Sequence, residues 1–243
     1  MNLSRSRIAC GLAAVAVLAA ATAATAAGAP VQAQTAAAAS QQLAVLNHDT
    51  EAFLKPSRTS GSAGEVNEVR PITGERTVLP VVGAVADAHG ERWLDVLLPG
   101  RPNSHTGWIE ENVVTLTVTD WQITISLAAR KVTVYEKGRV VRTFLAVVGK
   151  PTTPTPTGHF FVEETVPLSS QIPGTPFALA LSARSTALTQ FDGGPGQVAL
   201  HGLANIGGAP GTAVSHGCVR LETADIAWLG LHISSGVPVT ITG

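Results

Sequence analysis

The sequence predicts a mainly β chain in two modules with one short helix, and three observations predict it. Across residues 49–116 apolar residues alternate with polar ones in short runs set between clusters of Gly, Pro and Asn, the pattern of a small antiparallel barrel. Across 121–148 the alternation returns in longer runs, and only 222–232 carries apolar residues at helical spacing. The 24 glycines and 15 prolines supply enough turns to divide the chain into many short strands.

Taken in order, residues 1–27 are an expected export signal. Arg5 and Arg7 make its basic start, 8–20 an apolar, alanine-rich run, and Ala24-Thr25-Ala26 a small-residue cleavage site. The competing expectation is a retained membrane anchor, because 8–27 covers about twenty residues, enough to span a bilayer. Alanine and threonine make that run weakly apolar, which favours cleavage. Cys10 stands at the start of the run, whereas a lipid-modified cysteine would follow it. Removing the signal leaves Cys218 alone, so the exported chain would hold no internal disulfide. It would also turn 16 basic against 17 acidic residues into 14 against 17. Nothing in that balance suggests a nucleic-acid partner. Residues 28–48 are expected to be a linker, 28–40 being rich in Ala, Gln and Thr, with a helix as the alternative for so much alanine.

In the first module, 49–118, strands are expected at 77–82, 93–98 and 107–109, with turns at 87–90 and 99–103. Trp93 and Val96 followed by Gly107-Trp108-Ile109 resemble bacterial SH3-like modules, which implies a small β-barrel with a wall-binding or positioning role. The alternative is that Trp93 and Trp108 are barrel core and bind nothing. His48, His89 and His105 carry no spacing signal and are expected at the surface.

In the second module, 119–243, strands are expected at 121–127, 131–136 and 139–148, with Lys137-Gly138 as a tight hairpin turn. The third run is nearly all apolar, which predicts a central strand. Pro151, Pro154 and Pro156 stiffen the crossing that follows, and 160–162 resumes the sheet. Residues 167–196 form an expected long loop, the wall or lid of a substrate groove. Val198-Ala199-Leu200 ends a buried strand at His201-Gly202. A helix over 222–232 has Thr223 as its expected cap, and 236–241 closes the sheet. Because these strands complete a sheet among themselves, the segment from about 119 is expected to fold alone.

The chemistry concentrates in Ser215-His216-Gly217-Cys218-Val219-Arg220. A cysteine is a nucleophile as its thiolate, and its pKa of ~8.5 must be lowered by a neighbouring imidazole, cation or backbone dipole. His201, His216 and Arg220 are the candidates. If 215–221 is extended, His216 and Cys218 share a face but lie roughly 6.5 to 7 Å apart along the strand. A residue paired from a neighbouring strand sits closer, with Cβ atoms ~4.5 to 5.5 Å apart, which favours His201 as the base. Gly217 lets backbone approach a substrate, and the amides of Gly217 and Cys218 could form an oxyanion hole.

His201-Gly202 followed by Ser215-His216-Gly217-Cys218-Val219-Arg220 resembles the L,D-transpeptidase (YkuD-type) family of cell-wall enzymes. The resemblance extends back to about Trp121 through Gly149-Lys150, Thr155-Pro156-Thr157-Gly158 and Phe160. It implies an L,D-transpeptidase-type β-sandwich in which Cys218 is the nucleophile and His201 its general base, with the Gly202 carbonyl orienting the imidazole. His216 and Arg220 would line the substrate and oxyanion side, and Ser215 would support the turn. Leu203 stands where many relatives carry a small hydroxyl residue, so no side chain is implied as third member of a triad. The resemblance further implies an exported, wall-associated enzyme without metal or organic cofactor. It would form 3→3 cross-links on peptidoglycan stem peptides through a cysteine acyl-enzyme, with carbapenem β-lactams as inhibitors. Membrane contact would come only from an uncleaved signal.

Three alternatives stand beside it. Water as acceptor would make an L,D-carboxypeptidase with the same nucleophile. A zinc site using His201, His216 and Cys218 would lack an evident fourth ligand. A non-catalytic wall-binding protein would have no chemical need for a cysteine flanked by two histidines.

Overall fold

The computed structural model describes residues 38–191 and 193–243. The expected export signal and residues 28–37 of the expected linker lie outside them. Apolar alternation in the first module produces β1 (Gln41–Leu46), β2 (Thr50–Phe53), β3 (Ser62–Val66), β4 (Val78–Ala86), β5 (Arg92–Leu97), β6 (Thr106–Glu110) and β7 (Val114–Thr119). They form one antiparallel sheet in the order β3-β2-β6-β5-β4-β1-β7.

The linker expectation fails at β1, which pairs with both β4 and β7 and buries Leu43, Ala44 and Leu46. Its entry through Gln41 and Gln42 from an alanine-rich lead hides the alternation. Trp93 is core, packed edge-on to Phe53 at 5.8 Å between ring centres, whereas Trp108 is half-buried. His48 and His89 are exposed, but His105 is half-buried with Nδ1 sequestered from solvent.

The second module contributes β8 (Trp121–Ser126), β9 (Lys131–Glu136), β10 (Arg139–Leu145), β11 (Val148–Gly149), β12 (Gly158–Pro167), β13 (Phe177–Arg184), β14 (Gln197–Gly202), β15 (Ala213–Ser215), β16 (Val219–Leu221), α1 (Thr223–His232) and β17 (Pro238–Thr242). Eight of these strands make a mixed sheet in the order β10-β9-β8-β17-β12-β13-β14-β16, with β11 and β15 paired separately. The β17–β8 and β14–β16 pairs are parallel. The β9–β10 hairpin turns through Lys137 and Gly138, both at positive φ, as the mirror-image turn between twisted strands requires.

Three expectations are corrected here. The run after Arg139 is the sheet edge, not its centre. Val140 is 55% exposed and Leu145 53%, and the register shift between Val140 and Arg142 breaks the edge as bulges do. Residues 167–196 are not one loop, because β13 runs through their middle between β12 and β14, with Leu179, Ala180, Leu181 and Ala183 buried. The glycines and prolines belong to two shorter loops, 168–176 and 185–196. Thr223 opens α1 as its first residue. Glu222 takes the cap position, with its carbonyl accepting from Asp225 and Ile226.

β12 is where the modules join. Adjacent residues on a strand point to opposite faces, so Phe160 enters the core of the eight-stranded sheet while Phe161 enters the core of the first module. Farther along, buried Glu163 pairs with Arg70 of the first module and with Arg184, the latter at 2.9 Å. Glu164 accepts from the amides of Ile72 and Thr73 and from the Thr73 hydroxyl. At Gly236 a side chain would strike Leu43 and Val78. The segment from 119 onward therefore completes its sheet but not its burial. Without the first module, Phe161 would face water, Glu164 would lose its donors at Ile72 and Thr73, and Glu163 would keep Arg184 but lose Arg70, where breaking a buried pair costs ~3–5 kcal/mol.

Phe161→Ala should accordingly cost ~3–5 kcal/mol in urea denaturation. The full chain from 38 onward should unfold in a single transition by near-UV and far-UV signals alike. Residues 119–243 alone should show no cooperative transition. Two separable transitions in the full chain would show that the modules are independent.

Candidate active site

β14 and β16 are neighbouring parallel strands whose core faces carry Val198, Leu200, Val219 and Leu221. Strand alternation sends His201 and Arg220, which are paired in register, to the opposite face, and Cys218 precedes Val219 on that same side. His201 is thus directly opposite Arg220 and diagonal to Cys218. The thiol lies against the main-chain amide of Ala199, two residues before His201 on β14.

The thiol is presented on a bend. Residues 215–221 are not one strand. β15 ends at Ser215, β16 begins at Val219, and Gly217 between them has φ +124°, a conformation that favours glycine. Ser215, fully buried, closes the bend with one hydroxyl, which donates to the Cys218 carbonyl (2.6 Å) and accepts from the Gly217 amide (3.2 Å). That bond engages the Gly217 amide within the turn, which removes it from the expected oxyanion hole and leaves the Cys218 amide as the remaining expected donor.

The Thr-Pro segment supports the bend from beneath. The Thr155 hydroxyl accepts from the Gly149 amide (2.9 Å) and donates to the Gly217 carbonyl (2.8 Å), and the Thr153 hydroxyl donates to the Ser215 carbonyl (3.2 Å). The Lys150 amide also donates to Ser215 (3.0 Å). A side chain on Gly149 would fall 2.5 Å from the Thr153 carbonyl oxygen, which explains why glycine precedes that lysine.

His201 is fixed by main chain. Its Nδ1 lies 2.9 Å from the Gly202 carbonyl, so Nδ1 carries the proton and Nε2 the free lone pair. The 168–176 loop backs the ring. Gly174, at φ +92°, receives the Gly202 amide on its carbonyl (2.7 Å), and a Cβ there would fall 2.6 Å from His201 Nδ1. Gly202 is equally constrained, since its Cβ would fall 3.0 Å from the Gly174 oxygen and 3.2 Å from Ile226.

Burial pushes the Cys218 thiol above its ordinary range, opposed by the Ala199 amide and the Arg220 cation. Burial pulls His201 below its ordinary range, opposed by its bond to Gly202 and reinforced by Arg220. Both shifts favour the uncharged forms, thiol and imidazole.

The other expected residues lie around this pair. Arg220, 8% exposed, donates from Nη1 to the Gly207 carbonyl, while its Nε is buried without a protein partner. His216 is exposed at the mouth, its Nε2 3.4 Å from Lys150 Nζ and its ring stacked on Phe191 at 6.0 Å. A cavity lined by Ser185, Leu188, Phe191, Gly196, His216 and Cys218 leads to the thiol. Among the described residues no group of three or more His, Cys, Asp or Glu side chains is gathered as a metal site requires. Sequence reasoning missed the contributions of Thr153, Gly174 and Phe191. Only Gly174 left a signal, as a glycine beside a proline in an expected functional loop.

The family profile for the L,D-transpeptidase catalytic domain (YkuD) matches residues 120–241. L,D-transpeptidase 1 of Mycobacterium tuberculosis is 27% identical over 243 residues, covering 79% of this chain and 94% of its own. The putative L,D-transpeptidase YkuD of Bacillus licheniformis is 33% identical over 125 residues, 50% of this chain and 66% of its own. Among solved structures, an L,D-transpeptidase from Mycobacterium smegmatis shares 21% identity over 68% of this chain and 99% of its own, with a TM-score of 0.39. LD transpeptidase LdtMt1 in complex with imipenem shares 22% over 69% and 91%, with a TM-score of 0.42.

The neutral pair has a titration signature. Alkylation of Cys218 by iodoacetamide should reach half its limiting rate above the ~8.5 of an ordinary thiol, because burial raises the thiol's pKa. The His201 imidazole, followed by NMR, should stay neutral below the ~6.5 of an ordinary histidine. An alkylation midpoint below pH 7 would instead establish a thiolate–imidazolium pair.

Proposed function

The chain belongs to the family of L,D-transpeptidase catalytic domains, and we propose that it forms 3→3 cross-links between peptidoglycan stem peptides through an acyl-enzyme on Cys218. The observation that carries this reading is the placement of thiol and imidazole on one face of adjacent parallel strands, with His201 Nδ1 bonded to main chain and Nε2 left to accept a proton. Only that nitrogen can act as the base.

In the proposed reaction, Cys218 Sγ attacks the carbonyl joining the third-position diamino acid to the fourth-position D-alanine. His201 Nε2 takes the thiol proton as the S–C bond forms. The tetrahedral oxyanion is stabilised by the Cys218 amide and by the positive charge of Arg220, whose field acts on both Cys218 and His201. Collapse breaks the C–N bond, and His201 passes its proton to the departing D-alanine amine. The side-chain amine of a neighbouring stem then attacks the thioester, His201 takes that proton, and it returns to Sγ as the new amide forms. The cationic Lys150 beside His216 at the mouth suits the free carboxylates of stem peptides. Such a substrate places the enzyme outside the cytoplasm, which agrees with the basic and apolar start of the chain.

Incubation with disaccharide tetrapeptides and mass spectrometry of the products tests this directly. Wild-type protein should release D-alanine and form 3→3 dimers. Cys218→Ala should abolish both and Cys218→Ser nearly so, because a hydroxyl is too weakly acidic for this site. His201→Ala should slow acylation ~10²-fold. Gly174→Ala, which forces the ring aside, should approach that loss while iodoacetamide still alkylates Cys218 normally. Release of D-alanine without dimers would replace the transpeptidase by a carboxypeptidase, and release of neither would overturn the reading.

A carbapenem offers the same thiol a strained cyclic amide. Intact mass spectrometry should show one lasting adduct per chain, mapped to the segment holding Ser215 to Leu221 and lost in Cys218→Ala. Rapid loss of the adduct would show that water reaches the thioester freely.

A further inference from the structure

We propose that the first module is part of the substrate site, with Arg101 as a positioning residue that holds the 185–196 loop over the thiol cavity and thereby sets how tightly a donor peptide binds. This rests on the transpeptidase reading above for the identity of the peptide, but not for the contact itself.

Arg101 lies in the turn between β5 and β6, on the first module. Its Nη1 donates to the Pro195 carbonyl (2.9 Å), and its Nη2 donates to the carbonyls of Ser185 (2.8 Å) and Leu188 (3.4 Å). One planar cation thus bonds both ends of the loop and a point between them, a fork that lysine cannot reproduce. Gly196 leaves room for the arrangement, since a Cβ there would collide with the Leu188 carbonyl and fall 3.4 Å from Arg101 Nη2.

The rest of the turn is anchored separately. Asn103 accepts from the Arg184 amide and donates to the Arg184 carbonyl, each at 2.8 Å, and Ser104 Oγ accepts from the His159 amide (2.9 Å). The turn is thus tied to β13 and to β12 at two separate residues, so it does not depend on the loop that the guanidinium grips.

Within the loop, among the described residues, Ser185 and Gly196 are joined at the neck (2.8 Å), the Ser185 hydroxyl accepts from the amides of Ala187 (3.3 Å) and Leu188 (3.0 Å), and Phe191 and Gly194 exchange a pair of bonds at the tip (3.0 and 2.9 Å). It supplies Ser185, Leu188, Phe191 and Gly196 to the cavity that ends at Cys218, and Phe191, 52% exposed, stacks on the exposed His216 ring. Cys218 and His201 take their positions from β14, β16, the 153–155 segment and the 168–176 loop. Releasing the 185–196 loop alters the wall that a peptide meets and leaves the reacting groups where they are.

The test uses the full chain with Arg101→Ala, Arg101→Lys and Asn103→Ala. In Arg101→Ala the amides of Ser185, Leu188, Phe191 and Gly194 should exchange hydrogen faster, and KM for a tetrapeptide donor should rise roughly tenfold, as loss of charge-assisted bonds predicts. The kcat should change by less than about twofold, since the wall contacts are lost equally from the bound substrate and the transition state. Arg101→Lys should fall between, keeping the charge without the fork. Asn103→Ala, which loosens the turn from β13 without touching the loop, should lower Tm while leaving loop exchange and KM near wild type. Unchanged loop exchange in Arg101→Ala overturns the proposal, as does faster exchange with an unaltered KM, or an Asn103→Ala variant matching Arg101→Ala on both measures. If the wild type turns over no stem peptide, the transpeptidase reading fails, and the exchange measurement alone decides whether Arg101 holds the loop.

Discussion

β12 faces two hydrophobic cores at once, and the arrangement of both modules follows from that constraint. A strand in the middle of a sheet buries both faces only if something covers each, and here the helix side covers one while the first module covers the other. Phe160 and Phe161 are the simplest expression of it. Glu163 and Glu164 are the costlier one, because buried carboxylates contribute little net stability when paired yet penalise separation heavily. The ion pair with Arg70 therefore acts less as glue than as a restriction on where the first module can sit. With that position set, the turn carrying Arg101 falls beside the loop that walls the thiol cavity.

The site is assembled largely from main chain and hydroxyls. Thr153, Thr155 and Ser215 satisfy carbonyls and amides in a bend that no regular ladder could serve, and each buried group left unpaired would cost about 1–3 kcal/mol. The reward is a thiol held at a fixed angle without a charged neighbour other than Arg220. Burial favours the uncharged forms of both thiol and imidazole.

Much of this was legible in the sequence because the relevant signals are local. The His-Gly and Ser-His-Gly-Cys segments end and begin short strands that lie side by side, and Lys137-Gly138 states its turn in two residues. What escaped was set by distant partners. β10 is apolar enough for a central strand and becomes an edge because nothing pairs beyond it. β13 was hidden by the glycines and prolines of the loops on either side, and β1 by its glutamines and alanines. The oxyanion assignment to Gly217 failed because a serine two residues away claimed its amide. Arg101 and Arg70 carry no motif, and their roles exist only once β12 has brought the modules together.

The group that fixes the His201 tautomer is the carbonyl of Gly202. A carboxylate in that role could be lost through a single codon change, but an oxygen of the peptide bond belongs to every amino acid. Substitution at 202 cannot delete the acceptor, and crowding from the Gly174 backbone and Ile226 leaves no larger residue a place there. The oxygen that orients the His201 imidazole is therefore one that no side-chain replacement removes.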